Sequence, residues 1–537
     1  MTVMTACFER TKTDRETMKL KSFFVASTVA FAVASTAVAE DLTIGVGASI
    51  TSIDPHFYNA SPNNNIAMQI FDRLTERSAT GALEPGLAES WEATGEEEWT
   101  FKLREGVTWH DGEPFTSDDV IFSLSRAGDV PNSPGGFGGF IRSIESASAP
   151  DDTTVVIKTK GPAPNLPGNL ANIAIISRHV GERAETADYN DGSAAIGTGA
   201  LKFESFNNGD SVVLSRNDDW WGHELAWETV TYRMLTSNGG RTAAMLAQDV
   251  DMIDTPPAVD LPRLDQAEGL HVSSTAGLRA IYLMPNYRPL DEVLGISGKG
   301  GATLTENPLT NVNVRKALAE AINREAIVER IMEGTATASA QWLPSSAYSY
   351  APSKSVEAPD LEEAKALLAE GGYEDGFSLT LFAPTDRYPN APAVAQAVAQ
   401  MWTRIGVETS VEALPWANYS SRRNEFGIHL IGLGNSTFDA SSMLVNVLGS
   451  VDPENGMGAS NQSGYGNPAL DEMTLEALRI SDDAAREAKL IEAVEMAMDD
   501  QAIIPLYQQS NAWALRDGLT YAPRIDERTV AKDVMKE

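Results

Sequence analysis

Cysteine and positive charge are both scarce in this 537-residue chain. The one cysteine, Cys7, excludes a disulfide framework and a cysteine-based zinc site. Asp and Glu number 75 against 41 Lys and Arg, which gives a formal net charge of −34. Because nucleic-acid binders need a basic surface that displaces counterions, this charge argues against that class. The six histidines are isolated, and none forms a pair at chelating spacing, so no metal site is predicted.

Long apolar runs are also scarce, and the one near the N-terminus indicates export. A basic segment at residues 19–21 precedes an apolar run at 23–38, which ends in the small residues 37–39. This pattern is typical of a secretory signal peptide cleaved after residue 39. The run is too short for a membrane anchor and is interrupted by Ser and Thr. Acidic residues precede Met18, so translation is predicted to start there, which leaves the single cysteine out of the natural protein.

The rest of the chain has mixed helix and strand signals over a length that suits about three domains. Residues 99–104 alternate apolar and polar side chains, as a half-buried strand does. Thr116 and Asp119 have capping-box spacing at the start of an apolar helix. From residue 312 to 331 the apolar residues fall on one helical face.

A helix followed by a strand indicates an α/β layer. Residues 394–405 follow the i, i+3, i+4 rule, and Gly406 is expected to end the helix in a left-handed conformation. Residues 407–413 then alternate as a strand. This order favours crossover connections between parallel strands. The Gly-rich stretch 295–302 is expected to be a surface loop and does not match a phosphate-binding loop.

No catalytic motif stands out. Residues 434–438 resemble a nucleophile elbow but end in Phe instead of Gly. The pair His110-Asp111 precedes Gly112, and an Asp-Gly turn between strand residues explains it better than catalysis. We therefore predict that the protein is not an enzyme and needs no cofactor, with a secreted hydrolase as the alternative.

Four segments, taken in order, resemble one family, the family 5 extracytoplasmic solute-binding proteins of ABC transporters, of the peptide/nickel-binding type. The first, at 87–120, contains LAESW, WTFKLREGV and HDGEPF; the others lie at 197–222, 311–327 and 504–507. The resemblance implies an α/β protein with a two-lobed periplasmic-binding-protein type II fold. It also implies an extra domain in the N-terminal lobe.

The family pattern implies a discontinuous domain arrangement. The implied parts are residues 1–39 as signal peptide, 40–85 with 197–285 and 500–537 as lobe I, 86–196 as the extra domain of lobe I, and 286–499 as lobe II.

The resemblance also implies a function in import. The chain is expected to be a monomeric periplasmic receptor without a lipid anchor, which captures a small polar solute by hinge closure. Its partners would be this small-molecule solute and an ABC permease with its ATPase subunits. Contact with the inner membrane would occur only through the permease, and nucleic acid is not expected as a partner. A receptor that feeds a chemotaxis or sensor protein remains open.

Ligand contacts are expected in lobe II and near the hinge. Residues 385–390 lie between a predicted strand and helix, where α/β proteins bind ligands. By resemblance to dipeptide-binding members, Arg387 matches the arginine that receives the ligand carboxylate. Aromatic side chains are candidates for stacking on the ligand: Trp342, Tyr388, Trp416 and Tyr419.

The Gly-rich segment 432–440 bears on the nature of the solute. Peptide-binding relatives carry here an aspartate that pairs with the ligand ammonium, and it aligns with Ser436 and not with Asp439. A hydroxyl cannot supply the charge-assisted bond that a buried ammonium requires. Both residues stay in the predicted ligand-binding set. The predicted solute is a peptide or peptide-like molecule, with an oligosaccharide, an opine-like or a glutathione-like solute as the alternative.

Overall fold

The structure is a computed structural model that describes residues 41–385, 387–435 and 437–537, except the side chain of Ala417. The predicted signal peptide, the start at Met18 and Cys7 lie outside the described residues. So does Ser436, one of the predicted ligand-binding residues.

Strands and helices are mixed along the described chain. The strands are β1 Asp41–Val46, β2 Thr75–Arg77, β3 Leu83–Pro85, β4 Ala88–Gly95, β5 Glu98–Leu103, β6 Ile144–Asp151, β7 Thr154–Thr159, β8 Leu201–Asn207, β9 Ser211–Arg216, β10 Thr229–Met234, β11 Met252–Asp254, β12 Leu270–Pro285, β13 Ile296–Gly298, β14 Ala336–Ala338, β15 Phe377–Pro384, β16 Glu408–Leu414, β17 Ile428–Gly434, β18 Ile504–Arg516, β19 Leu519–Thr520 and β20 Met535–Lys536. The helices are α1 Ser61–Ile70, α2 Ser117–Ala127, α3 Gly138–Ile141, α4 Leu166–Leu170, α5 Arg178–Gly181, α6 Thr186–Asp191, α7 Asn238–Leu246, α8 Leu261–Asp265, α9 Val312–Glu320, α10 Arg324–Arg330, α11 Leu361–Glu370, α12 Ala391–Thr403, α13 Trp416–Ser420, α14 Ser441–Met443, α15 Pro468–Ala477 and α16 Asp483–Asp499.

Two long strands form the middle of the largest sheet. Its order is β13-β15-β17-β12-β18-β11-β1-β10-β9-β8, with β14 added to β18 and β16 added to β15. Strands β12 and β18 pair antiparallel from Leu270 opposite Arg516 to Leu283 opposite Ile504, with a register shift after Ala276. A second sheet, in the order β4-β5-β7-β6, is separate from the first.

Buried side chains form three main clusters. The largest draws on β12, β15, β17, α9, α12, α16 and the first half of β18. The second draws on β1, α1, β8 to β11 and the second half of β18. The third joins the four-stranded sheet to α2 and α4. Strand β18 therefore runs from one large core into the other.

Most local predictions from the sequence are confirmed. Strand β5 and helix α12 lie where the periodicity placed them, and the capping box of Thr116 and Asp119 is formed. Strands β15 and β16 pair in parallel through the α12 crossover. Gly406 has a φ of 99°, two residues beyond the helix cap.

Two local predictions are corrected. The single helical face from 312 to 331 is divided between α9 and α10, because the side chain of Asn323 accepts a hydrogen bond from the backbone of Ala326 and starts a new helix. The expected loop at 295–302 contains β13, which pairs antiparallel with β15. Strand pairing overrides the Gly-rich composition at this position.

Among the described residues, no helix is both long enough and apolar enough to cross a membrane.

Candidate ligand-binding site

The loop that follows β17 is fixed by one buried amide side chain. Asn435 accepts hydrogen bonds at Oδ1 from the backbone N–H groups of Thr437, at 3.2 Å, and Phe438, at 3.1 Å. Its Nδ2 donates to the carbonyl oxygen of Asp439 at 2.8 Å. Phe438 adopts a left-handed φ of 65°, a conformation that costs energy unless the surroundings impose it. Phe438 and Asp439 are therefore held firmly beyond the carboxyl end of β17.

Asp439 is a buried carboxylate that neutral groups hold. It is 5 % exposed. Its Oδ1 accepts from the backbone N–H of Ser441, at 2.9 Å, and from the Ser441 hydroxyl, at 2.5 Å. Its Oδ2 accepts from Nδ2 of Asn165, just before α4, at 3.4 Å. This last bond joins two segments that are 274 residues apart.

Arg77, at the end of β2, lies against the same loop. Its guanidinium carbon is 4.5 Å from the centre of the Phe438 ring, a cation–π contact. Nη1 donates to the carbonyl oxygen of Gly81 at 2.9 Å, whereas Nε is buried without a hydrogen-bond partner. Burial lowers the pKa of Arg77, and the charges of Asp439 and Asp526 oppose this shift. The Arg77 side chain therefore packs against the β17 loop.

Arg279 of β12 and Glu527 form a two-pronged ion pair beside this loop. Nη2 donates to Oε1 at 2.7 Å and Nε donates to Oε2 at 3.2 Å. The hydroxyl of Ser61, at the start of α1, also donates to Oε1 at 2.8 Å. Burial raises the pKa of Glu527, but the charge and hydrogen bonds of Arg279, with the bond from Ser61, outweigh it and bring the pKa to about 2. The pair therefore ties β12 to α1 and the C-terminal segment.

The predicted aromatic residues differ in their surroundings. Tyr388 is 6 % exposed and donates to the carbonyl oxygen of Gly432 at 3.2 Å. Trp416 is half-buried, and its ring centre is 6.2 Å from that of Tyr388 and 5.8 Å from that of Tyr419. Tyr419 is fully buried and donates to the carbonyl oxygen of Leu430. Trp342 is buried in the largest core, with its Nε1 unpartnered.

Arg387 is exposed beside two of these rings. Its guanidinium carbon lies 5.4 Å from the centre of the Trp416 ring and 5.8 Å from that of the Tyr388 ring. No carboxylate within the described parts of the chain forms a salt bridge with it. The structure thus brings Arg387, Tyr388, Trp416 and Tyr419 into one group. Asp439 is on the neighbouring β17 loop, and Trp342 belongs to the same buried core as Tyr388, without a ring-to-ring contact to the group among the described residues.

Reasoning from sequence missed the polar residues that join distant segments. Arg77, Asn165, Arg279 and Glu527 were not among the predicted residues. The one available signal was Arg279 itself, a charged residue at the head of the apolar run 280–285. No pattern indicated its partner, because Glu527 is 248 residues away.

Three of the six histidines lie in a turn or in the core. His110 precedes a turn in which Gly112 has a φ of 91° and donates to the carbonyl oxygen of Trp109, as predicted. Burial lowers the pKa of His56 and of His429, to about 4 and about 3. Within the described residues, no three His, Cys, Asp or Glu side chains are placed to hold a metal ion.

Two open depressions lie elsewhere on the surface. One, of about 680 Å³, is lined by β13, β15 and β16; the other, of about 550 Å³, is lined by residues between Glu113 and Glu182. Both are shallow, and neither includes a residue of the contacts described above. The β17 loop and its neighbours are the better candidate for a ligand-binding site, because polar groups and aromatic rings converge there. The contacts among these residues leave little open volume.

Comparisons with known proteins agree on one family. The family description "Bacterial extracellular solute-binding proteins, family 5 Middle" matches residues 82–455. The chain is 26% identical to the dipeptide-binding protein of Escherichia coli K12 over 89% of its length and 90% of that protein. It is 28% identical to heme-binding protein A of Haemophilus influenzae, over 83% of its length and 81% of that protein.

A solved structure shows the same fold. The periplasmic binding protein DppA from Helicobacter pylori, in complex with the peptide STSA, is similar with a TM-score of 0.76 and 24% identity. The match covers 93% of this chain and 98% of that one. The two-lobed type II periplasmic-binding-protein fold predicted from the sequence is therefore confirmed.

Proposed function

Because this chain belongs to family 5 of the bacterial extracellular solute-binding proteins, we propose that it is the solute receptor of an ABC importer. It captures a small polar solute between its lobes and delivers it to the permease. Strands β12 and β18 support a hinge mechanism. Strand β18 contributes to both large cores, and the register of its pairing with β12 shifts between the two. Closure then follows from tighter binding of solute to the closed state.

We divide the chain as the family pattern implies. Residues 40–85, 197–285 and 500–537 form lobe I, residues 86–196 its extra domain, and residues 286–499 lobe II. The three clusters of buried side chains support this division, because each draws mainly on one part.

The solute site lies where these parts meet. The single observation that carries this placement is the line of contacts from Arg77 and Asn165 to Phe438 and Asp439. Arg387 supplies an exposed guanidinium, without a salt bridge to any described residue, that is suited to a carboxylate. Trp416 is the aromatic surface beside it, with Tyr388 and Tyr419 behind. Trp342 and Ser436 complete the proposed set.

The proposed solute is a peptide or peptide-like molecule. The dipeptide-binding relative supports this, and the heme-binding relative shows that similar chains bind other solutes. The carboxylate oxygens of Asp439 already accept hydrogen bonds from Ser441 and Asn165, so few lone pairs remain for a ligand ammonium. This observation favours the second candidate, a receptor for a non-peptide solute such as an oligosaccharide, an opine-like or a glutathione-like molecule.

The remaining parts of the proposal follow from the family. The N-terminal segment directs export to the periplasm, where the monomeric receptor meets the permease and its ATPase subunits. It binds its solute without turnover and without a cofactor.

A thermal-shift screen of residues 40–537, refolded to remove bound ligand, tests this function. The panel holds di- and tripeptides, glutathione, oligosaccharides and opine-like conjugates. A solute at a hundred times its Kd adds about 2.7 kcal/mol, which raises the Tm by a few degrees. Arg387→Ala should abolish the shift given by carboxylate solutes.

Arg404→Ala is the matched control, because Arg404 is equally exposed and lies at the far end of α12. Turnover of a panel member, in place of stoichiometric binding, would support the hydrolase alternative. Equal shifts in both variants would contradict the role of Arg387.

A further inference from the structure

Three arginines near the proposed site have no carboxylate partner. Among the described residues, Arg73, Arg77 and Arg528 form no salt bridge within 4.0 Å, although the chain carries 75 acidic residues. Arg73 is only 5 % exposed, and its Nη1 is buried without a hydrogen-bond partner. An arginine stays charged at every physiological pH, so an unpaired buried guanidinium is costly.

The three guanidinium groups belong to one region. The backbone of Arg77 accepts a hydrogen bond from Arg524, at 2.7 Å, which ties β2 to the C-terminal segment. Among the described residues, the guanidinium of Arg528 has one hydrogen bond, which Nη1 donates to the carbonyl oxygen of Ser61 at 3.2 Å. Burial lowers the pKa of both Arg73 and Arg528, and the positive charge of Arg73 lowers that of Arg528 further.

The nearby carboxylates are bonded to other groups. Asp526 accepts from Nε and Nη2 of Arg524, at 2.9 and 2.8 Å. Glu527 is held by Arg279 and Ser61. Asp72 accepts from Thr198 and Trp221. The charges of Glu76, Asp72 and Asp526 oppose the effect of burial on the pKa of Arg73, and within the described residues none of these carboxylates forms a salt bridge with it.

We propose that Arg73, Arg77 and Arg528 form an anion-binding subsite on the lobe I wall of the cleft, which receives a carboxylate or phosphate group of the solute. This subsite rests on the proposed function. Buried guanidinium groups suit either anion, because their planar fork donates two parallel hydrogen bonds. With Arg387 on the opposite lobe, the preferred solute carries at least two anionic groups.

The test is titration calorimetry on refolded residues 40–537 with five probes: tricarballylate, citrate, inorganic phosphate, Ala-Ala and maltose. A polyanionic probe should bind, and Arg73→Met, Arg77→Met and Arg528→Met should each weaken it at least tenfold. If phosphate is the one anionic probe that binds, the subsite receives a phosphate group of the solute. If the two tricarboxylates bind and phosphate does not, the subsite receives a carboxylate. Arg216→Met is the control, since Arg216 is already paired with Asp218 on the surface.

Melting of the ligand-free variants separates binding from structure. Because Arg73 lacks a partner, Arg73→Met should keep or raise the Tm, whereas a structural role would lower it. If Ala-Ala or maltose binds and no anionic probe does, the subsite is wrong and the receptor function stands. If no probe binds but a solute of the thermal-shift panel does, the subsite is wrong and the receptor function stands; if nothing in either panel binds, both are contradicted. Anion binding that the three variants leave unchanged also overturns the subsite.

Discussion

At the scale of single residues, charge placement decides what the candidate site can do. Arg279 and Glu527 satisfy each other with two hydrogen bonds, and Ser61 adds a third bond to the carboxylate. Arg387 has no such partner in the described chain and stays available to a ligand. The same residue type therefore holds two segments together at one position and is proposed to recognise solute at another.

The Glu527 carboxylate should make stability depend on acid. Its pKa falls from 4.5 to about 2 in the folded protein. The pair thus contributes its full stabilisation above about pH 4.5 and loses it as the pH falls toward 2, since the unfolded state then binds the proton first. The difference corresponds to about 3 kcal/mol at neutral pH. Glu527→Gln should lower the free energy of unfolding by about this amount at pH 7, measured by urea titration.

The effect of Glu527→Gln should shrink steadily below pH 4.5. Glu362→Gln is the control, because the Glu362 side chain is 85% exposed and pairs only with Lys365. A Glu527→Gln penalty that stays constant from pH 7 to pH 3 would refute this linkage.

At the scale of elements, the sequence predicts what is local. The alternation in β5, the capping box of α2 and the β15–α12–β16 crossover all depend on residues close in sequence. Helix α10 departs from the prediction because apolar periodicity continues through a position where Asn323 caps a new helix. An Asn within a periodic run is the signal that should have divided it.

The β17 loop should depend on Asn435. Asn435→Ala removes three hydrogen bonds to backbone groups at a buried position. We expect a loss of about 2 kcal/mol in unfolding free energy, because the backbone groups lose their partners. We also expect weaker solute binding, because Phe438 and Asp439 lose their fixed positions. Urea titration and calorimetry measure the two effects.

Asn418→Ala, at an exposed position of α13, is the matched control. If the Asn435→Ala variant keeps its unfolding free energy and its affinity for solute, β17 alone fixes the positions of Phe438 and Asp439.

At the scale of the whole molecule, single side chains join segments that are far apart in the sequence. Besides Arg77 and Asn165, Arg142 reaches across and donates from Nη1 to the carbonyl oxygen of Gly456, at 2.6 Å. These residues are 314 positions apart. Gly456 has a φ of 67°, a left-handed conformation that favours glycine, and an added Cβ there would displace the end of the Arg142 side chain.

Arg142→Ala should favour the open form. The lost bond to a charged donor is worth about 1.5 to 3 kcal/mol, so the affinity for solute should fall about tenfold or more. Small-angle X-ray scattering of the liganded protein at subsaturating solute should show a larger radius of gyration. Arg178→Ala is the control, since Arg178 is exposed and pairs with Asp118 of α2 and with Glu182, both within the proposed extra domain of lobe I. Unchanged affinity and radius in Arg142→Ala would argue against a closing role.

The sequence by itself determined the family, the two-lobed α/β fold and most of the local elements. These depend on periodicity, capping and ordered motifs, which are properties of neighbouring residues. Only the tertiary structure decided which charges meet. The pairing of Arg279 with Glu527, and the contact of Arg77 with Phe438, follow from how the long strands β12 and β18 bring remote segments together. A lone charged residue carries no trace of its partner in the chain, so such contacts cannot be predicted from one sequence.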